Sequence, residues 1–203
     1  MGLFWKKKTP DKILAEGRSQ FKSGDLNRAF STVQELADKG EPEACYYVGV
    51  YWLKKDDKCT AEKYLATAAG GGWQEAARLL NQLIEAQYDE GIAAYDAGDH
   101  AKALSLFEKA AEHGHAYAQF NCGHMYYTGK GTELDDTRAL YWFEKAAEHG
   151  DAQAQFRCGY MYYIGSGTDR NMAKATSWLK KAAGQTEDKE TQEEAMKLLM
   201  EFY

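Results

Sequence analysis

The chain reads as an all-α protein, a right-handed superhelical solenoid of antiparallel helix pairs, and three observations predict it. The first is a repeat. AYAQFNCGHMYYTGKGTELDDTRALYWFEKAA from Ala116 returns as AQAQFRCGYMYYIGSGTDRNMAKATSWLKKAA from Ala152, 36 residues later, with roughly half of the positions identical. The second is spacing: Ala118, Cys122, Gly123 and Tyr126 fall at i, i+4, i+5 and i+8, and Ala139, Trp142, Ala146 and Ala147 also follow three- and four-residue steps along one face. The third is punctuation. Gly129 and Gly131, repeated as Gly165 and Gly167, separate the two helical stretches, and glycine enters positive φ without steric cost. Neither helix of a pair buries its apolar stripe alone, so the units must stack.

From the N-terminus, residues 1–10 read as a flexible lead-in. Met1 to Trp5 is apolar, but Lys6, Lys7 and Lys8 follow it, the reverse of the order in an export signal. Gly2 invites myristoylation, yet Lys6 stands where that motif prefers Ser or Thr. A cytoplasmic location and no membrane contact are therefore expected. Residues 11–203 then form a single solenoid. Its first pair spans 11–40, where EGRSQFKSGDLNRAF from Glu16 matches EGIAAYDAGDHAKAL from Glu90. A degenerate unit spans 41–72, with Ala44, Gly49, Ala61, Tyr64 and Ala68 in the roles of Ala118, Gly123, Ala139, Trp142 and Ala146. A cap-like helix follows at 73–86 and resembles the one that closes the chain at 187–203. Between them come a pair at 87–114 and the two well-kept units, 116–150 and 152–185. Pro10 and Pro42 both stand where a helix begins, which suits a ring lacking an N–H. Trp142 and Tyr126 are expected to fill the wider gaps between helices.

Residue pattern A-x3-[LC]-G-x2-Y-x2-G-x-G-[VT]-x6-A-x2-W-x2-[KR]-A-A resembles the Sel-one-like repeat, a branch of the tetratricopeptide superfamily. The segments 16–40 and 90–114 look more like the tetratricopeptide repeat proper, with Gly91, Tyr95, Gly98, Asp99, Ala103, Phe107 and Ala110 at its signature positions. Cys122 and Cys158 replace the usual leucine, Thr132 and Thr168 the usual valine, and Asn171 the usual aspartate. The resemblance implies a scaffold or adaptor without catalysis or cofactor, holding a peptide or helix of another protein in a concave groove. Some cysteine-rich relatives have been described as binding β-lactams, which gives a hydrolase as the alternative. Against it stand the missing export signal, the missing cysteine staples and the absence of a nucleophile–base pair. Self-assembly into a homodimer is compatible with either reading.

Composition narrows the partner. The net charge is −6, with acidic and basic residues mixed, whereas a nucleic-acid ligand demands a basic stripe. Cys122 and Cys158 lie in the same slot of successive units, too far apart for a disulfide. Cys45 and Cys59 share a unit but nothing requires their pairing. All four are expected to be free, buried thiols. His113 and His149 occupy one repeat position, followed by Gly114 and Gly150, and should sit at helix C-termini. His113-x-His115 lacks further ligands at metal spacing, so no metal is expected.

Groove contacts are then sought on the first helices. Phe120/Phe156 and Tyr127/Tyr163 repeat unchanged, which fits stacking. Asn121/Arg157 and His124/Tyr160 vary, as recognition positions should. The candidate protein-binding residues are Tyr117, Asn121, His124, Tyr127, Gln153, Arg157, Tyr160 and Tyr163.

Overall fold

The computed structural model describes residues 8–202, so the apolar start of the lead-in, with Gly2 and Lys6, lies outside the described residues. Among them it is all helix: α1 (Pro10–Lys22), α2 (Leu26–Ala37), α3 (Pro42–Lys54), α4 (Lys58–Gly70), α5 (Gln74–Asp96), α6 (His100–Glu112), α7 (Ala116–Thr128), α8 (Asp136–Glu148), α9 (Ala152–Ile164), α10 (Met172–Ala183) and α11 (Lys189–Met200). Two compact units divide the chain, one ending at Leu83 and one beginning at Ile84. Helix α5 contributes to both. It is one helix through the segments that read as a cap and as the start of the next pair, and no proline interrupts it.

In the first unit α1 packs on α2, α2 on α3 and α3 on α4. Val33, Val48, Leu65 and Cys45 are fully buried there, and Phe21, Phe30, Tyr46 and Trp52 pack around them. Arg18 Nε and Nη2 each donate to a Glu43 carboxylate oxygen at 2.7 Å, and Tyr47 donates its O–H to the same group at 2.8 Å. The fork on a carboxylate ties α1 to α3.

The second unit repeats one construction. Asp99, Asp135 and Asn171 cap α6, α8 and α10 by accepting from the backbone N–H three residues on, which satisfies one orphan donor at each start. Gly129 and Gly165 end α7 and α9 at φ 67° and 79°. Pro10 and Pro42 stand in the first turns of α1 and α3, and His113 and His149 are the C-cap residues of α6 and α8, as their positions in the repeat predict.

One expectation is corrected. Trp142 is only half-buried, whereas its neighbour Phe143 is 0% exposed. Phe143 fills the gap between α7 and α8 because Gly123 opposes it; a Cβ on Gly123 would come within 2.7 Å of the ring. One repeat on, Leu179 replaces Phe143 and a Cβ on Gly159 would meet it at 2.6 Å. Tyr126 is buried as expected, and so are Cys45, Cys122 and Cys158, but Cys59 is exposed. Cys59 is the second residue of α4, on the solvent side of its first turn.

The joints between helix pairs are also repeated. Tyr126 on α7 donates to Glu108 on α6 and accepts from Arg138 on α8 at 2.9 Å. Tyr162 on α9 donates to Glu144 at 2.6 Å and accepts from Lys174 at 2.8 Å. Gln119 and Gln155, both buried, donate to the carbonyls of Ala111 and Ala147 at the ends of α6 and α8. Gly131 meets the start of α6, where a Cβ would stand 2.4 Å from the His100 carbonyl oxygen. Gly167 meets the start of α8 in the same way, 2.2 Å from that of Asp136.

Candidate functional site

In the second unit the last turns of α5 and residues of α6 and α7 line a pocket of about 360 Å³. Its apolar surface comes from Ile92, Phe107, Phe120 and Met125. Spacing dictates this: Ile92, Tyr95 and Asp96 fall at i, i+3 and i+4 on α5, and Phe120, Asn121, His124 and Met125 fall at i, i+1, i+4 and i+5 on α7, so each set shares a helix face. Gly91 positions the floor, since a Cβ there would meet the Phe107 ring at 2.6 Å. The polar wall is formed by Tyr95, Asp96, Asn121 and His124.

Electrostatics around the pocket are uneven. His124 is half-buried, and burial holds its imidazole below the ordinary histidine range, with Lys130 and Arg157 pushing in the same direction. Both effects favour its neutral form. Lys130 Nζ donates to Tyr95 Oη at 2.7 Å and lies 5.1 Å from the centre of that ring. Next to the pocket, His115 caps α7 by accepting from the Ala118 N–H at 3.1 Å, and its ring stacks on Tyr88 at 4.4 Å.

Of the sequence-derived candidates, Asn121 and His124 line this pocket. Tyr117, 66% exposed, and Gln153 line a second, more polar recess of about 310 Å³ together with Asp151 and Asp188. Tyr127 is half-buried with its ring 6.5 Å from Phe143. Tyr163 is engaged by the chain itself, 4.8 Å from Phe202 and beneath the Arg170 guanidinium. Arg157 and Tyr160 are half-buried on α9. The structure therefore brings together Asn121 and His124, and adds Ile92, Tyr95 and Asp96 from α5. The sequence contained a signal for these: Tyr95 and Gly91 were visible as repeat positions, so the face they share could have been extended to Ile92 and Asp96.

Burial pushes the Cys45 thiol up to about 11 and those of Cys122 and Cys158 higher still. A thiol must lose its proton to act as a nucleophile or ligand, so these three serve packing. Among the described residues no three His, Cys, Asp or Glu side chains stand together to hold a metal ion. Among the same residues no helix is long and apolar enough to cross a membrane.

Helix pairs joined by repeated, self-matching contacts define a helical repeat protein, an architecture suited to holding other proteins along an extended surface. The Sel1 repeat model matches residues 42–69, 85–115, 116–151 and 152–186, more than half of the chain. The chain belongs to the Sel1 repeat family. Segment 85–115, which by its residues looks closer to the tetratricopeptide repeat proper, is among the matches.

A solved structure of similar sequence shares the fold. A Sel1 repeat protein from Oxalobacter formigenes is 28% identical, with a TM-score of 0.52 over 97% of this chain and 66% of that one. The protective antigen c5321 of uropathogenic Escherichia coli, which displays an SLR fold, is 25% identical, with a TM-score of 0.49 over 83% of this chain and 44% of that one. This chain thus spans less than half of the E. coli protein and about two thirds of the Oxalobacter protein. No curated protein matches it in sequence.

Proposed function

We propose that this protein is a non-catalytic scaffold that binds a peptide or helix of another protein along the first-helix face of its second unit. One observation carries the reading. Positions that repeat unchanged, such as Ala118, Cys122, Gly123 and Tyr126, are buried in the stack, whereas the varied positions Asn121/Arg157 and His124/Tyr160 remain partly open. Packing keeps the period and recognition has no reason to. Aromatic and Arg side chains dominate binding energy at protein interfaces, and this face offers both.

Changing Asn121, His124, Arg157 and Tyr160 together to Ala tests the reading. Circular dichroism and melting should stay close to wild type, and affinity capture from the source cell should lose the protein that wild type retains. Retention of that protein by a folded quadruple variant would move the site elsewhere. A β-lactam hydrolysis assay tests the absence of catalysis, and turnover above buffer would overturn it. A cytoplasmic setting belongs to the same reading, and so does a protein partner rather than nucleic acid, the latter supported by the mixed charge of the chain.

A further inference from the structure

The pocket between α5 and α7 has the dimensions and the charges to select one kind of side chain. At about 360 Å³ it lies at the lower end of the roughly 300–1,000 Å³ range of ligand pockets, and one large side chain occupies much of it. Its floor is apolar, with Phe107 and Met125 almost fully buried beneath the opening. Methionine adapts its shape and makes favourable contacts with aromatic rings. Asp96, exposed on the α5 wall, offers an acceptor at the rim. Lys130 and Arg157 flank His124, and neither has a carboxylate partner among the described residues. Two cations without an ion pair among the described residues are notable on a chain of net charge −6.

We infer that this pocket takes a tryptophan or tyrosine of a partner segment, whose ring enters between Ile92 and Phe120, whose N–H or O–H donates to Asp96, and whose neighbouring carboxylate meets Lys130 and Arg157. The inference rests on the scaffold reading above and specifies its anchor. Charge complementarity makes the choice. A plain apolar anchor makes no use of the Asp96 acceptor, and a basic flank is repelled by the two cations. Asn121 and His124 stand at the opening. One repeat on, Arg157 and Tyr160 hold those positions, so the fold itself shows that a tyrosine is tolerated there.

Selection of a phage-displayed library of random twelve-residue peptides on the full chain tests this. Enriched peptides should share a Trp or Tyr with Asp or Glu within two residues. A synthetic peptide carrying that motif should lose at least tenfold in affinity when its aromatic residue becomes Ala or its carboxylates become Lys. The His124→Tyr variant should fill the pocket and weaken the same peptide at least tenfold without changing the melting temperature. Arg157→Glu should weaken it by a similar factor, and Asp96→Asn should weaken Trp peptides by a smaller one. Enriched peptides that lack the motif, or that bind His124→Tyr as well as wild type, would overturn the anchor and leave the scaffold reading standing. No enrichment from the library would count against both.

Discussion

Gly123 on α7 lies directly beneath the ring of Phe143 on α8, close enough that a single added carbon would stand 2.7 Å from it. The glycine is needed for approach, since its φ is not positive. Gly123→Val forces the helices apart or the ring off its rotamer, an overpacking cost of about 1–3 kcal/mol or more. Lys130→Val, in the exposed loop, should cost far less. Thermal melts of the two variants compare them directly, and coincident curves would mean that the packing face is misassigned.

Phe143 and Trp142 make a second pair to separate. Phe143→Ala empties a fully enclosed site and should cost roughly 3–5 kcal/mol. Trp142→Ala removes a half-buried ring and should cost clearly less. Urea denaturation of both variants gives the order, and a greater loss for Trp142→Ala would reverse the assignment.

Turn glycines differ in what an alanine would meet. Gly114 has φ 86° and open space around its missing Cβ. Gly114→Ala therefore pays only the left-handed backbone cost, on the order of 1–2 kcal/mol. Gly131, at φ 77°, would add contact with the His100 carbonyl. Gly131→Ala should destabilise more than Gly114→Ala in the same melting experiment, and equal losses would show that the loop is free of α6.

Acid should act on the Arg18–Glu43 pair. The Arg18 guanidinium, through its hydrogen bonds, holds the Glu43 carboxyl below the usual carboxylate range. A carboxyl with a lowered folded pKa stabilises above its unfolded value and loses that contribution as pH falls through the folded one. Wild-type stability should thus fall below about pH 4.5, and Glu43→Gln should be less stable at neutral pH with a shallower acid slope. Parallel melting curves across that range would remove the pair from the account.

Thiol labelling should separate the four cysteines. Cys59 is exposed, whereas Cys45, Cys122 and Cys158 are closed off from solvent with their thiols held protonated. Ellman's reagent should titrate Cys59 quickly in the native protein and the other three only after unfolding. Fast reaction of the Cys59→Ser variant would show that the helices around Cys45, Cys122 or Cys158 open locally.

Much of this was legible in the residues and some was not. The glycine ends of α7 and α9, the proline starts of α1 and α3, and the buried row of Ala118, Cys122 and Tyr126 follow from spacing and from the few conformations those residues permit. Trp142 misled because it repeats as Trp178, while Phe143 changes to Leu179; the period records identity, and burial asks only for a fitting apolar shape. Half of the pocket was hidden for another reason. Ile92 and Asp96 lie on α5, in a segment that reads as a different repeat type, and only the facing of two helices puts them opposite His124. The bond from Tyr126 to Glu108 crosses from one pair to the next, beyond the reach of a reading confined to single helices.

The loop glycines have a genetic consequence. Gly131 fits the start of α6 and Gly167 fits the start of α8, so a stretch of this chain carries a plug for the unit before it and a socket for the unit after it. Copying 36 residues in frame inserts a plug and a socket together, and both new seams match at once. An insertion that is not a whole number of such units separates them. Such a chain can grow or shrink by whole units through recombination, and its reach toward partners can change in steps while each seam stays as it was.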